Sequence, residues 1–191
     1  MSENEAASGS IRKLWSSEAA KFSEHLLRLD KASRRMRFAH SVSDSFIEDY
    51  ATRMSDYGSV VYGYIEEDHV RAAAELRKLG DSWGNEAEAA FSVEAGFQNR
   101  GIGSDLMGRV IRSARNRGVQ RIYLSCLPEN AAMQTIARKY DAVLAFERGD
   151  VIGEIVPVGP DYFSVLAEAV DDRVSFMLSV LDLRGRLSKA A

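Results

Sequence analysis

The apolar positions of this chain change period along its length. After Ser16-Ser17-Glu18, residues Phe22, Leu26 and Leu29 recur at three- and four-residue intervals. That spacing predicts a helix over about 17–30, with a serine N-cap and an acid in its first turn. Phe46, Ile47, Tyr50 and Met54 predict a second helix near 43–55, capped by Ser41 or Ser43. The texture then turns to extended runs. Val60 to Ile65 and Val70 to Leu79, around Glu66-Glu67-Asp68, read as a hairpin, and Glu86 to Val93 as the third strand of the same meander. Ile11 to Leu14 reads as a short first strand. Leu106, Val110 and Ile111 mark a helix from about 102 to 117, with Gly118 just past its end. Arg121 to Leu127 is a strand of buried type. Pro128-Glu129-Asn130 opens a helix to about Tyr140, and residues 142–148 and 151–156 make a closing strand pair around Gly149-Asp150. From Pro160 to about Leu183, residues Phe163, Leu166, Val170, Val174, Met177 and Leu181 line one face of a long helix, a face that must be buried somewhere.

In chain order this is β-α-α-β-β-β-α-β-α-β-β with an extra helix, an α+β pattern. The strand before residue 94 and the strand after 120 are expected to pair in parallel, giving a mixed sheet. With 191 residues, 46% of them hydrophobic and 28% charged, the chain suits one domain with an appendage. We expect a disordered start over residues 1–10, a domain over 11–158 and a helical extension over 159–191. A net charge of −3 does not suggest a nucleic-acid partner, and the basic clusters Arg34-Arg35-Met36-Arg37 and Arg112 to Arg117 read as solvated helix faces. The single cysteine, Cys126, excludes an intrachain disulfide and fits a reducing cytoplasm. No metal site is expected, because His25, His40 and His69 lack ligand spacing. No apolar run approaches the ~18 residues of a membrane span, so no membrane partner is expected.

One stretch carries candidate chemistry. "AAFSVEAGFQNRGIGSDLM", residues 89–107, runs from strand through a glycine turn into a helix. A dinucleotide turn of the form G-x-G-x-x-G fails at Leu106, and a phosphate loop of the form G-x4-G-K-[ST] fails at Ile102. What survives is a helix N-terminus with open N–H groups and glycines that let an anion approach, or else a plain turn with glycines for geometry.

"QNRGIGSDLM" resembles the [QR]-x-x-G-x-[GA] signature of the Gcn5-related N-acetyltransferases, and the element order and the later "PENAAMQTIARKYDAV" resemble that family too, over roughly residues 11–156. The resemblance implies a mixed, mostly antiparallel sheet with two parallel strands splayed apart and helices around it. It implies acetyl-CoA as cosubstrate, with no metal. Phe91 and Val93 would bond the pantetheine arm through their backbone. Gln98, Asn99, Arg100, Gly101, Ile102, Gly103 and Ser104 would cradle the pyrophosphate, and Asn130 would contact the pantetheine region. Arg100, with Arg109 or Arg112, is a candidate to meet phosphate oxygens.

Acyl transfer to an amine needs the neutral nucleophile, about one in 2,500 molecules at pH 7 for a lysine-like amine, so a carboxylate base is expected. Among Glu86, Glu88 and Glu94, the resemblance points to Glu88, which shares a strand face with Ala90 and Ser92. The oxyanion would meet a backbone N–H, that of Val93 being the candidate. Many members of the family use a tyrosine seven residues after the asparagine as proton donor to the thiolate. Ala137 stands there in this chain, as in the protein-acetylating branch, and Tyr140 is the remaining candidate acid. The loop from about Arg34 to Asp44 would cover the acceptor, with Arg35, Phe38 and His40 shaping it and Glu48, Asp49, Glu86 and Glu88 as an acidic lining. The acceptor implied is a primary amine: a protein lysine, a polyamine or a small amine. A non-catalytic acyl-CoA-binding module is the alternative. The last helix lies outside the resemblance and is a candidate homodimer surface.

Overall fold

The computed structural model describes residues 9–54 and 58–190, the last two by backbone only. The disordered start expected over 1–10 falls outside these for residues 1–8, but Ser10 is ordered and opens the first strand. The helix expected near 43–55 ends at Thr52, and residue 55 lies outside the described residues. Among the described residues, seven strands form one sheet in the order β1-β2-β3-β4-β5-β7-β6. They are β1 (Ser10–Leu14), β2 (Val60–Glu66), β3 (His69–Lys78), β4 (Glu86–Val93), β5 (Arg121–Cys126), β6 (Val143–Glu147) and β7 (Asp150–Ile155). The β4–β5 pair is parallel and every other neighbouring pair is antiparallel. The mixed α+β sheet anticipated from the element order is the one observed.

Each face of the sheet carries its own apolar cluster. Helix α4 (Ile102–Asn116) lays Leu106, Met107, Val110 and Ala114 against Ala87, Ala89 and Ile122, joined by Met133 and Ala137 of α5 (Ala131–Lys139). Three helices cover the opposite face: α1 (Ala19–Arg28), α2 (Lys31–Phe38) and α3 (Asp44–Thr52). Phe22, Leu26, Phe38 and Ile47 pack there on Val61, Val70 and Ala73. Strand alternation sorts the side chains: Ala87 and Ala89 of β4 face α4, and Ser92 faces α1.

Two expectations need correction. The segment after Arg34, read as a loop, is helical as far as Phe38. Asp30 caps α2 by accepting from Ser33 N at 2.7 Å, and Ala39, at φ 61°, ends it in the left-handed region. The short basic stretch lacks a long apolar stripe, so period alone did not expose it.

The second correction concerns α6 (Tyr162–Ala190), which runs past the expected end at Leu183. Its apolar face is not buried against the rest of its own chain. Phe163 is 78% exposed, Val170 52% and Leu181 63%. The helix docks instead by its polar stripe, where Ser164, Glu168, Ser175 and Ser179 are buried. Asp171 receives Arg109, and Arg112 at 2.6 Å, and Arg117 meets Glu168 at 2.6 Å. Lys13 meets Asp172 at 2.6 Å, Lys21 meets Asp182 at 2.9 Å, and Ser17 and Ser179 share a hydrogen bond of 2.9 Å. The basic run Arg112 to Arg117 is therefore not a solvated face. It is part of the seat for acidic residues on the docked face of α6.

Glu168 is the centre of this seat, accepting from Ser113, Asn116 and Arg117. Burial opposes its charge, but Arg117, Asn116 and Ser113 outweigh burial and hold its pKa below the usual carboxylate range. Asp171 is lowered in the same way, burial being outweighed by Arg112 and Arg109. Because both folded-state values lie below the unfolded ones, the stabilisation is complete above about pH 4–5 and is lost as pH falls through the depressed range. Replacing Glu168→Ala leaves Arg117 without its carboxylate partner, and a loss of about 2–3 kcal/mol is expected in urea unfolding. Trp15, whose ring lies 5.3 Å from Phe176 of α6, supplies the fluorescence signal for an acid titration of the docking. A variant as stable as the parent, with an unchanged titration, would remove Glu168 from this role.

Candidate active site

β4 and β5 begin as partners and then part. Their register is limited to Glu86 with Arg121, Ala87 with Ile122 and Glu88 with Tyr123. Beyond Glu88, β4 continues to Val93 bonded only to β3, and β5 continues to Cys126 bonded only to β7. The backbone from Ala89 to Val93, with Phe91 and Val93 in it, thus borders a gap that an extended ligand can enter as an added strand.

At the end of this gap lies the glycine turn. A 3-10 turn at Ala95–Phe97 leads to Asn99 at φ 60° and Gly101 at φ 82°. Gly101 caps α4 without a side chain, so the first N–H groups of the helix, at Ile102, Gly103 and Ser104, stay open to an anion. A Cβ on Gly96 or Gly101 would meet nothing within 4 Å, so the space above the turn is clear. At Gly103 a Cβ would lie 3.0 Å from Ile136 Cδ1, so this glycine also lets α5 approach α4. Arg100 lies over the Phe97 ring at 5.0 Å and makes no ion pair among the described residues. Arg109 and Arg112, the other two candidates for phosphate oxygens, are instead held by Asp171.

Gln98 turns back, its Nε2 donating to the Val93 carbonyl at 3.1 Å and to Ser33 Oγ at 3.2 Å. Ser104 is buried, and its Oγ accepts from Lys139 Nζ at 2.7 Å. Asn130 caps α5, its Oδ1 accepting from Met133 N at 3.1 Å, which leaves its amide NH2 available. The Tyr140 hydroxyl donates to the Ser104 carbonyl at 2.7 Å, and its ring packs with the α4-side cluster. That hydroxyl ties α5 to the first turn of α4.

Glu88 is the last β4 residue paired with β5, so it stands where the gap opens, opposite Arg77 of β3. The acidic lining expected around it is not there. Glu48 and Asp49 are exposed on α3, and Glu86 accepts from Tyr123 at 3.1 Å beside Arg121. Arg35 pairs with Glu129 at 2.8 Å, and Phe38 is buried in the helical cluster. The face that Glu88 shares is a mixed network. Glu75 is buried with Arg37, accepts from Tyr50 at 2.9 Å and meets Arg77 at 3.1 Å. Burial pushes the Glu75 carboxyl up against the pull of Arg37. Burial and the charge of Arg37 bring Arg77 down to about 10, with Glu88 opposing.

Further along the same face lies a group that sequence reasoning passed over. His25 is fully buried, with Nε2 2.8 Å from Ser92 Oγ and Nδ1 3.1 Å from Glu94 Oε1. Burial lowers the His25 pKa more than Glu94 raises it, so the ring is neutral at pH 7. For Glu94, burial is outweighed by His25 and Arg28, so it is ionised and only accepts. The proton therefore sits on Nδ1, Nε2 accepts, and the Ser92 hydroxyl donates. The signal was present in the sequence, since His25 falls three residues after Phe22 on the apolar stripe of α1.

Residues 23–140 match the sequence profile of the acetyltransferase (GNAT) family. This chain belongs to that family. A curated relative, the acetyltransferase Pat of Mycolicibacterium smegmatis, is 45% identical over 74 residues, which are 39% of this chain and 22% of that protein. The match thus spans about a fifth of the curated relative's length. Among solved structures, the GNAT domain of S. lividans PAT superposes with a TM-score of 0.67 at 22% identity, covering 78% of this chain and 90% of that one. The acetyltransferase yncA of Salmonella typhimurium, determined with its cofactor acetyl-CoA, gives 0.60 at 16% identity over 81% and 99%. The region matched by the family profile, residues 23–140, includes the parted β4–β5 pair described above.

The state of His25 has a measurable consequence. Its folded pKa lies below 6.5, so between pH 7.5 and 5 the unfolded chain takes up the proton first and stability falls. The urea midpoint of the parent protein should drop across that window. His25→Gln should be destabilised by about 1–3 kcal/mol at pH 7.5 yet show a flatter pH dependence. An equally steep decline in the variant would assign the effect to other groups.

Proposed function

We propose that this chain transfers the acetyl group of acetyl-CoA to a primary amine, with Glu88 as general base. The observation that carries the reading is the position of Glu88 at the mouth of the gap, one residue before β4 and β5 separate. In this reading the pantetheine arm lies along Phe91 and Val93. The pyrophosphate rests on the turn Gln98, Asn99, Arg100, Gly101, Ile102, Gly103 and Ser104. The free amide of Asn130 completes the contacts to the arm. That CoA would enter this gap is supported by the family's chemistry and by yncA, which holds acetyl-CoA on the same fold.

The amine nitrogen attacks the thioester carbon, forming the C–N bond while its proton passes to Glu88 directly or through one water. The carbonyl oxygen gains the charge and is met by a backbone N–H bordering the gap, that of Val93 being the candidate. The C–S bond then breaks. The free thiol has a pKa near 8.5, so the departing thiolate takes its proton from solvent. Tyr140, the candidate acid, has its hydroxyl committed to the Ser104 carbonyl, which supports a structural role for it.

Glu88→Gln keeps the shape and removes the base. With acetyl-CoA and a panel of lysine peptides, polyamines and small amines, thiol release by the parent protein is the assay. The variant is expected to lose about 10²–10⁴ in kcat with CoA affinity little changed. An undiminished rate would overturn the role of Glu88. CoA binding by the parent protein without thiol release on any amine would instead favour an acyl-CoA-binding module.

A further inference from the structure

Helix α6 turns its outer surface to solvent, and that surface is nearly free of charge. Along residues 162–188, Arg173 and Arg184 are the exposed charged residues. Twelve large apolar side chains of the same helix are each at least 38% exposed. At about half exposure these present on the order of 1,000 Å² of apolar surface, beyond the ~300–600 Å² of the largest patch on a typical monomer. It is also close to the ~800 Å² that each partner gives to a stable interface. The helix cannot turn this face inward, because its other face is fixed by Glu168, Asp171, Asp172 and Asp182.

The pattern itself is regular. Phe163, Leu166 and Val170 recur eleven residues later as Val174, Met177 and Leu181. An eleven-residue repeat has 3.67 residues per turn, so the strip neither drifts round the helix nor imposes the left-handed supercoil of a heptad. The strip is also nearly symmetric about residue 172: valines at 170 and 174 in the middle, larger side chains six and five residues out at 166 and 177, then nine residues out at 163 and 181.

We infer that this face is covered by a second copy of the same chain, α6 crossing α6 antiparallel about a two-fold axis near residue 172. A charge-poor, largely apolar surface is the composition of a permanent homodimer interface, whereas transient partners meet surfaces about as polar as the rest of the protein. The two-fold arrangement places Val170 of each copy against Val174 of the other, and small residues at the crossing point let the helices approach closely. It opposes the two helix dipoles. It also brings Arg184 of one copy beside the exposed Tyr162 ring of the other, a cation–π pairing, at the rim of the strip. This inference does not depend on the proposed reaction.

The test uses the full chain. Light scattering across concentrations on the order of 1–100 μM should give twice the 21.2 kDa chain mass. Val170→Glu/Val174→Glu should give a monomer that keeps its circular dichroism and its CoA binding, since both positions are half exposed and outside the gap. Register is read by cysteine cross-linking. A mixture of Val170→Cys and Val174→Cys proteins should form a linked dimer several-fold faster than either alone, while the parent protein, whose Cys126 is buried, forms none. A monomeric parent protein at every concentration overturns the proposal. So does a dimer that survives the double glutamate change, or a monomer that sediments with phosphatidylcholine–phosphatidylglycerol vesicles. Cross-linking that is fastest in the unmixed variants overturns the antiparallel register.

Discussion

The geometry of the site follows from how briefly β4 and β5 hold together. Three parallel residue pairs fix the two strands side by side, and then each keeps only its antiparallel neighbour. A sheet interior does not leave backbone groups without partners unless something else meets them. The missing ladder therefore defines both a binding surface and its direction. α4 starts where that surface ends, with its N–H groups uncapped, and β4 carries Glu88 where it begins. Strand pairing, helix placement and the candidate base all depend on the same divergence.

The two faces of β4 are unequal. Toward α4 the strand presents alanines that let the helix lie close. Toward α1 and α2 it presents Glu88 and Ser92 to a layer that holds Arg37, Arg77, Glu75 and a neutral His25. Burying these groups is tolerable because each has a partner of opposite sign or a hydrogen bond. The result is a polar floor of nearly balanced charge rather than a carboxylate basin. A group reaching the mouth of the gap would thus meet the single carboxylate of Glu88 rather than a negative field.

Elements with one strong period were readable from the chain. The Val60–Leu79 hairpin, the strand ending at Val93 and the helix over 102–117 needed only alternation, turn residues and Gly118, which takes φ 74°. The glycine turn was legible because an uncapped helix start and a left-handed Gly101 have a sequence signature. Pairs distant in the chain were not legible. Nothing local tells that Arg112 will meet Asp171, or that Arg37 will meet Glu75, because such matches are decided by tertiary placement. The helix Lys31–Phe38 was hidden because its burial rests on few residues, Phe38 chief among them. How α6 docks was not legible either, because its partners, ionic and hydroxylic apart from Phe176 against Trp15, lie far away in the sequence.

The polar seat of α6 also changes how the chain divides. Neither apolar cluster contains a residue of that helix, so the sheet and its covering helices close their cores without it. Charged side chains on an already finished surface are enough to hold it. Such an attachment is separable in a way that a core helix is not: changes on its outward face touch neither apolar cluster. The GNAT fold and the outward face of α6 can therefore diverge independently.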